Sequence, residues 1–373
     1  MQNTRRMAYI YQKPDWPQFY WDKEKLSALL VEVRHRQGRL LGRMEGLGFN
    51  FQSEATLETL TLDVLKSSEI EGEVLNPDQV RSSIARRLGM DIAGLIPADR
   101  NVEGIVEMML DATQEYTAAL TTERLFGWHA ALFPAGRSGM HKIVTGNWRH
   151  KEGDPMQVVS GPMGREKVHF QAPDTDAIEY EMDKFLAWFN AEANTDPVIK
   201  AAIAHLWFVT IHPFEDGNGR ITRAITDLQL ARTDGTKKRF YSMSAQIRKE
   251  RKGYYDILEE TQKGDLDITP WLEWFLNCLD RALLATDEIL LTVIKKSRFW
   301  GKHNTATLND RQKIMINKLL DRFDGKLTSS KWAKITKSSS DTAIRDINAL
   351  LEKGILVKES AGGRSTNYLL NEG

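Results

Sequence analysis

Apolar residues recur along most of this chain with helical spacing. In SALLVEVRHRQGRLLGRMEGLG, Leu29, Leu30, Val33, Leu40 and Leu41 fall near one face, which predicts a helix closed by Gly48. Ser53 is placed to cap a second helix, EATLETLTLDVLKSSEIEGE, ending near Gly72. Asn76-Pro77 reads as an N-cap followed by proline at the first helical position, and opens DQVRSSIARRLG. MDIAGLIPADRN has no such period and reads as a linker or long loop. Helical periodicity returns over residues 102–119, 122–133, 175–191, 197–211, 219–232, 251–262 and 268–296. Within it, IAHLWFVTI (203–211) is apolar on nearly every side and predicts a buried helix.

Two stretches depart from that rhythm. Gln157–Ser160 and Lys167–Gln171 are short β-prone runs around Gly-Pro-Met-Gly, and 156–173 therefore reads as a hairpin. After about residue 300, three helical segments with turn-rich joints (LNDRQKIMINKLLDRF, TSSKWAKIT and SSSDTAIRDINALLEKGI) precede LVKESAGGRSTNYLL, a two-stranded wing around Gly362-Gly363. That order predicts a winged helix.

Composition excludes several classes. Lys plus Arg and Asp plus Glu both number 51 in 373 residues, so no global basic excess points to nucleic acid. From Gly301 onward, however, thirteen Lys and Arg face eight Asp and Glu. The single cysteine, Cys278, excludes an intramolecular disulfide framework and reads as a buried helix residue. The N-terminal arginines are followed by no apolar signal region, and no apolar run nears the ~18–20 residues that span a bilayer. A cytoplasmic protein with no membrane partner is expected.

The apolar helix at 203–211 empties into HPFEDGNGR (212–220). The next helix starts here, and its first amides lack partners at the positive end of the macrodipole, which suits an anion. Gly217-Asn218-Gly219 lets the backbone approach that anion closely. Arg220 adds a bidentate clamp, and Arg223 lies three residues on along the same face. Asp216 is a hard oxygen ligand for Mg²⁺, and His212 on the opposite lip can take a proton from a hydroxyl. These parts describe phosphate-ester chemistry. A zinc site of His205, His212 and Asp216 is the alternative, without an HExxH pattern to support it.

HPFEDGNGRITR (212–223) resembles the motif HxFx(D/E)GNGRxxR of the Fic family, with every specified position filled. The resemblance implies a helical Fic fold with a small β-hairpin flap, and transfer of AMP from ATP to a hydroxyl on a target protein. It makes His212 the general base, Phe214 the anchor of the loop and Asp216 the Mg²⁺ ligand. Gly217, Asn218 and Gly219 then hold the ATP phosphates, with Arg220 and Arg223 as clamps. The hairpin corresponds to the family's flap, where Val158, Val159, Ser160 and Gly161 would dock an extended target segment by main-chain pairing. TGNWRH (145–150) is similar to the G-x-aromatic-R segment before the flap.

SSEIEG (67–72) fits the inhibitory motif (S/T)xxxE(G/N) at Ser67, Glu71 and Gly72. In relatives that carry it, the glutamate pairs with the second motif arginine, here Arg223, and misaligns ATP for attack. GYYDILEETQKGD (253–265) resembles the family's nucleoside-lining segment, implying contacts from Tyr254 and Tyr255, with Gln262 where asparagine is common.

The expected organisation is a helical region over 1–100 that holds the inhibitory helix (about 53–72), a Fic core over 101–295, and a winged helix over 301–373. The expected activity is protein adenylylation held down by Glu71, with AMP removal as a second activity of the same site. Partners would be a protein bearing a Ser, Thr or Tyr hydroxyl, the chain itself included, and a second copy in a homodimer. Intact Gly219 favours nucleotidyl transfer over the family's kinase-like variants. The competing class is a DNA-binding regulator using Lys331, Lys334, Lys337, Arg345 and Arg364 on phosphates.

Overall fold

The computed structural model describes residues 9–371 except 47, 91, 93, 151–154, 162–164, 193, 304–305, 321–322, 324 and 360–365. The expected mainly helical architecture with small hairpins is what it shows. The chain divides into two compact units. One holds the residues up to Ile84 together with Pro97–Thr286, and the other joins Ala85–Ile96 to Asp287–Gly373.

In the first unit, α1 (Lys23–Glu45) starts where Asp22 accepts from the Lys25 amide at 2.9 Å. Its buried stripe is Leu26, Val33, Gln37, Leu40 and Met44. Val33 and Leu40 of the expected face are in this stripe, while Leu29, Leu30 and Leu41 are half-buried. The second helix, α2 (Phe49–Ile70), also starts before the expected cap: Gly48 is its N-cap and Ser53 lies inside it. It is buried nearly all round, by Leu57, Leu60, Val64 and Ile70 and by the polar Thr59, Asp63 and Ser67. A helix that buries polar side chains must give them partners. Next come α3 (Pro77–Arg87), α4 (Arg100–Gln114) and α5 (Thr122–Leu132). Gly104 permits the last two to touch, since a Cβ there would sit 1.8 Å from the Ala131 carbonyl oxygen.

Two hairpins follow, β1 (Arg137–Ser138) with β2 (His141–Lys142), and β3 (Gln157–Ser160) with β4 (Lys167–Gln171). The second has the expected strand limits, and its register shifts between Val158 and Val159. Part of its turn, 162–164, lies outside the described residues. Tyr9 and Tyr11 set their rings against Phe170 of β4 at 5.2 and 6.0 Å.

After α6 (Ile178–Asn190) come the two central helices, α7 (Pro197–Ile211) and α8 (Asn218–Asp234). Every residue from Val198 to Ile211 is buried, as the apolar sequence required. The unit closes with α9 (Met243–Lys249), α10 (Arg251–Gln262) and, as far as Thr286, the long α11 (Thr269–Lys302), which carries the buried Cys278.

A buried polar network holds α2, α8 and α9 together. Arg239 reaches Asp227 at 3.0 Å and Asp234 at 2.8 Å, and the Tyr241 hydroxyl donates to Asp234 at 2.9 Å. Asp63 of α2 accepts from the hydroxyls of Ser242 and Ser244. Burial, and after it the neighbouring Asp63 carboxyl, push Asp227 well above the usual carboxylate range against the pull of Arg239.

The second unit contains α12 (Asp310–Leu320), α13 (Ser329–Thr336), α14 (Ser340–Glu352), β5 (Leu356–Lys358) and β6 (Tyr368–Leu370). The strands pair antiparallel with Val357 opposite Leu369, and Leu327 bridges to Tyr368. Met315, Trp332, Ile347, Leu350 and Leu356 lie in its core. Residues 85–96 join this unit through Gly94, whose missing Cβ leaves room for Ile314. Gly362, Gly363 and Arg364 lie outside the described residues. Lys334, Lys337 and Arg345 are exposed, while Lys331 sits over the Phe323 ring at 4.3 Å.

Replacing Arg239 by methionine strands two buried acids. The expected loss of unfolding free energy is about 3–5 kcal/mol, read by urea denaturation, and a loss below about 1 kcal/mol would show that the network does not hold these helices.

Candidate active site

The stop of α7 is abrupt because His212 takes the left-handed conformation (φ 53°) and Pro213 has no amide to continue the ladder. Phe214 then turns into the interior, fully buried, with its ring stacked on His129 at 4.2 Å. Asn218 closes the loop on itself: its amide nitrogen donates to the Phe214 carbonyl at 2.8 Å, and its oxygen accepts the Phe214 N–H at 2.9 Å. The Asn218 side chain thus shapes the loop, leaving its backbone N–H for an anion. Gly217 (φ 80°) is the N-cap of α8 and has no side chain to satisfy the first-turn amides. Any Cβ there would also meet Phe133 at 2.9 Å.

Both lips of the loop are braced. Arg149, from the TGNWRH segment, donates from Nε to the His212 carbonyl at 2.9 Å and from its backbone to Pro213 at 2.9 Å. His129 accepts the Gly146 N–H at Nδ1 (3.1 Å), so its proton is on Nε2 and points at the Asp216 carbonyl, 3.2 Å away. The Val144 amide donates to Glu215 at 3.0 Å, and the Ser138 hydroxyl donates to the Asp216 carboxylate. Neither His129 nor Ser138 was singled out in the sequence. A histidine inside an amphipathic helix and a serine in a two-residue strand carry no local signal.

His212 is half-buried, and its Nδ1–H donates to the Val209 carbonyl at 3.3 Å, which leaves the Nε2 lone pair as the acceptor. Burial, with help from the Arg149 charge, pushes its pKa down to about 4. The ring is neutral at pH 7 and able to receive a proton.

Ser67 and Glu71 meet Arg223 as the motif implies. Arg223 Nε donates to Ser67 Oγ at 2.9 Å, and its Nη2 donates to the Ser67 carbonyl at 2.9 Å and to Glu71 Oε1 at 2.8 Å. Gly72 follows with φ 85°. Glu71 presses on the loop: a Cβ on Gly219 would lie 2.1 Å from Glu71 Oε1. Glu73, which no motif position marks, accepts from Arg220 Nη1 at 2.8 Å.

The remaining candidates are placed differently from one another. Tyr254 is buried, its hydroxyl 2.9 Å from His205 Nε2 and its ring beside Trp274. Gln262 is buried and donates to the Thr210 hydroxyl at 3.2 Å. Tyr255 is partly exposed under the Arg251 guanidinium. In the flap, Val158 is half-buried while Val159, Ser160 and Gly161 are exposed. His205 is held by Thr226 and Tyr254 inside the core, so it does not join His212 and Asp216 as a zinc set. Among the described residues no cluster of three His, Cys, Asp or Glu could hold a metal. Of the two loop carboxylates, Glu215 is engaged by the Val144 amide, and Asp216 is the one that would suit a cation such as Mg²⁺, which keeps several waters and is shared with phosphates.

The comparisons agree with this geometry. Residues 119–230 match the model of the Fic/DOC family, and residues 9–90 match a domain of unknown function (DUF4172). Protein adenylyltransferase Fic of Culex quinquefasciatus is 28% identical over 236 residues, 61% of this chain and 42% of that protein. The protein of the same name from Drosophila grimshawi is 26% identical over 287 residues, 75% of this chain and 51% of that one. The chain spans about half or less of the length of these curated relatives. A crystal structure of a Fic family protein from Desulfovibrio desulfuricans G20 has TM-score 0.52 and 21% identity, covering 95% of this chain and 98% of that one. A Fic domain containing signaling protein from Bacteroides thetaiotaomicron VPI-5482 also has TM-score 0.52, with 20% identity over 69% of this chain and 96% of that one. These two show the fold. The match to the Fic/DOC family model is confined to residues 119–230.

Burial also pushes His129 down to about 4, from an ordinary 6.5. The unfolded imidazole takes up its proton near 6.5 and the folded one does not, so each such ring contributes stability above 6.5 that is lost as pH falls towards 4. NMR shifts of His129 and His212 should therefore show no titration between pH 7.5 and 5.5; a midpoint near 6.5 for His129 would contradict the neutral, loop-bracing role.

Proposed function

We propose that this chain is a protein adenylyltransferase that moves AMP from ATP to a Ser, Thr or Tyr hydroxyl of a target protein and is restrained by Glu71. The observation that carries the reading is the continuous arrangement of a neutral His212, an uncapped α8 N-terminus and the Arg220–Arg223 face, with Glu71 lying 2.8 Å from Arg223. The names of the curated relatives support it.

His212 Nε2 takes the proton of the target hydroxyl as its oxygen attacks the α-phosphorus. The new O–P bond forms as the bond to the β-phosphate oxygen breaks, and pyrophosphate leaves. The amides of Gly217, Asn218 and Gly219 hold the phosphates, and Arg220 and Arg223 take the charge of the departing pyrophosphate. Asp216 would hold Mg²⁺, which supplies charge neutralisation between the phosphates. The flap edge at Val158–Gly161 offers main-chain groups to an extended target segment. Glu71 on Arg223 takes the place of the outermost phosphate, and the same carboxylate could orient water for AMP removal from a modified target.

The second reading, a DNA-binding regulator, is favoured by the exposed Lys334, Lys337 and Arg345 of the C-terminal unit. Its test is a gel shift at two salt concentrations, where phosphate contacts fade steeply.

With α-³²P-ATP and Mg²⁺, label should reach protein. Glu71→Gly should raise the rate by about tenfold or more, because misplacement by ~1 Å can cost ~10²-fold. His212→Ala should lower it by at least about 10²-fold. Transfer of γ-label instead would mean phosphorylation, and no transfer even from Glu71→Gly would overturn the adenylyltransferase reading.

A further inference from the structure

The Arg223–Glu71 pair is one of two such contacts. The chain leaves α2 through a turn in which the Glu73 amide donates to the Ser68 carbonyl at 3.0 Å and Gly72 adopts φ 85°. This turn brings Glu73, two residues beyond Glu71, against α8 as well, with its Oε2 2.8 Å from Arg220 Nη1. Both motif arginines therefore end on carboxylates of one short segment.

The burial is uneven in a telling way. The arginine side chains are 9% and 2% exposed, whereas those of Glu73 and Glu71 are 37% and 32% exposed. The cations belong to the packed interior, and the acids cover them from the solvent side. Each guanidinium also keeps a buried donor without a partner, Nε of Arg220 and Nη1 of Arg223. Carboxylates that each engage one nitrogen leave those donors unsatisfied, and an anion with more oxygens can satisfy them. Val74, next along the chain, is 85% exposed, so the segment beyond Glu73 is not anchored in the core through this side chain.

We propose that Glu73 is a second inhibitory carboxylate: it occupies Arg220 as Glu71 occupies Arg223, and full opening of the polyphosphate site requires both to leave. This rests on the adenylyltransferase reading only for the identity of the ligand. The consequence is that Glu71→Gly is a half-opened protein in which Arg220 still has a competitor.

ATP·Mg²⁺ binding, measured by isothermal titration calorimetry on the full chain, tests it apart from catalysis. Glu73→Gln should tighten binding by about three- to fivefold, the range of a partly exposed ion pair, in both the wild-type and the Glu71→Gly backgrounds. In an Arg220→Gln background the same substitution should have no effect. Unchanged affinity in both of the first two backgrounds would overturn the proposal. So would a gain that persists without Arg220, since it would come from general loss of negative charge. If the Glu71→Gly/Glu73→Gln protein binds ATP more tightly yet transfers no label, the second carboxylate stands and the transfer reading falls.

Discussion

A guanidinium that is 2% exposed has to be answered from within the protein, and Arg223 is such a group. Ser67 provides two acceptors, its hydroxyl and its carbonyl, and Glu71 provides the charge. The buried cation thus fixes how α2 lies against α8. Under the proposed function, the same contact that satisfies Arg223 in the fold withholds it from a ligand, so folding and restraint draw on one interaction. Ser67 makes the two functions separable. If Glu71 withdraws, two of the three hydrogen bonds remain, and the Asp63 contacts with Ser242 and Ser244 still hold α2 in place. Under the proposed function, Glu71 can therefore leave Arg223 without undocking the helix.

The loop between α7 and α8 is shaped by the same economy of partners. Its anchors all point inward: Phe214 on His129, Asn218 on the Phe214 backbone, Arg149 on the His212 and Pro213 carbonyls. With these side chains so engaged, and the Gly217 N–H donated to Asp216 Oδ1, the following backbone N–H groups at the start of α8 are left to be completed by an anion. Rigidity of this kind matters because reacting atoms must be held within a fraction of an ångström for in-line chemistry.

Local sequence carried the parts whose cause is local. The limits of α7 follow from Asp196-Pro197 at one end and His212-Pro213 at the other, and β3 and β4 lie where the β-prone runs were read. The loop chemistry from His212 to Arg223 was legible because its groups are neighbours in the chain. What escaped has distant partners. His129 acts on Asp216, 87 positions away, and Glu73 on Arg220, 147 away; neither looks unusual among its neighbours. The short α9 has too few residues for a periodic pattern, and its fixed point is Asp63 of α2. Tyr254 and Gln262, which the resemblance implies as nucleoside contacts, have their polar groups on His205 and Thr210 inside the core, partners also distant in the chain.

Helix α10 brings these strands of reasoning together. Tyr254, near its start, lies beside Arg223, whose charge lowers the phenol pKa against the larger raising effect of burial. Five residues on, Glu259 accepts from His169 of the flap strand β4 at 2.5 Å, and His169 in turn meets the Ser160 hydroxyl of β3 at 2.6 Å. The Lys263 ammonium and His169 hold Glu259 down to about 2, so this carboxylate is charged at neutral pH. One rigid helix therefore touches both the cation that Glu71 covers and the hairpin that would present a target segment. A polyphosphate that displaced Glu71 would alter the surroundings of Tyr254 on the element that also seats the flap. Under the proposed function, nucleotide and target sites have a physical reason to sense each other, without any contact between the two ligands.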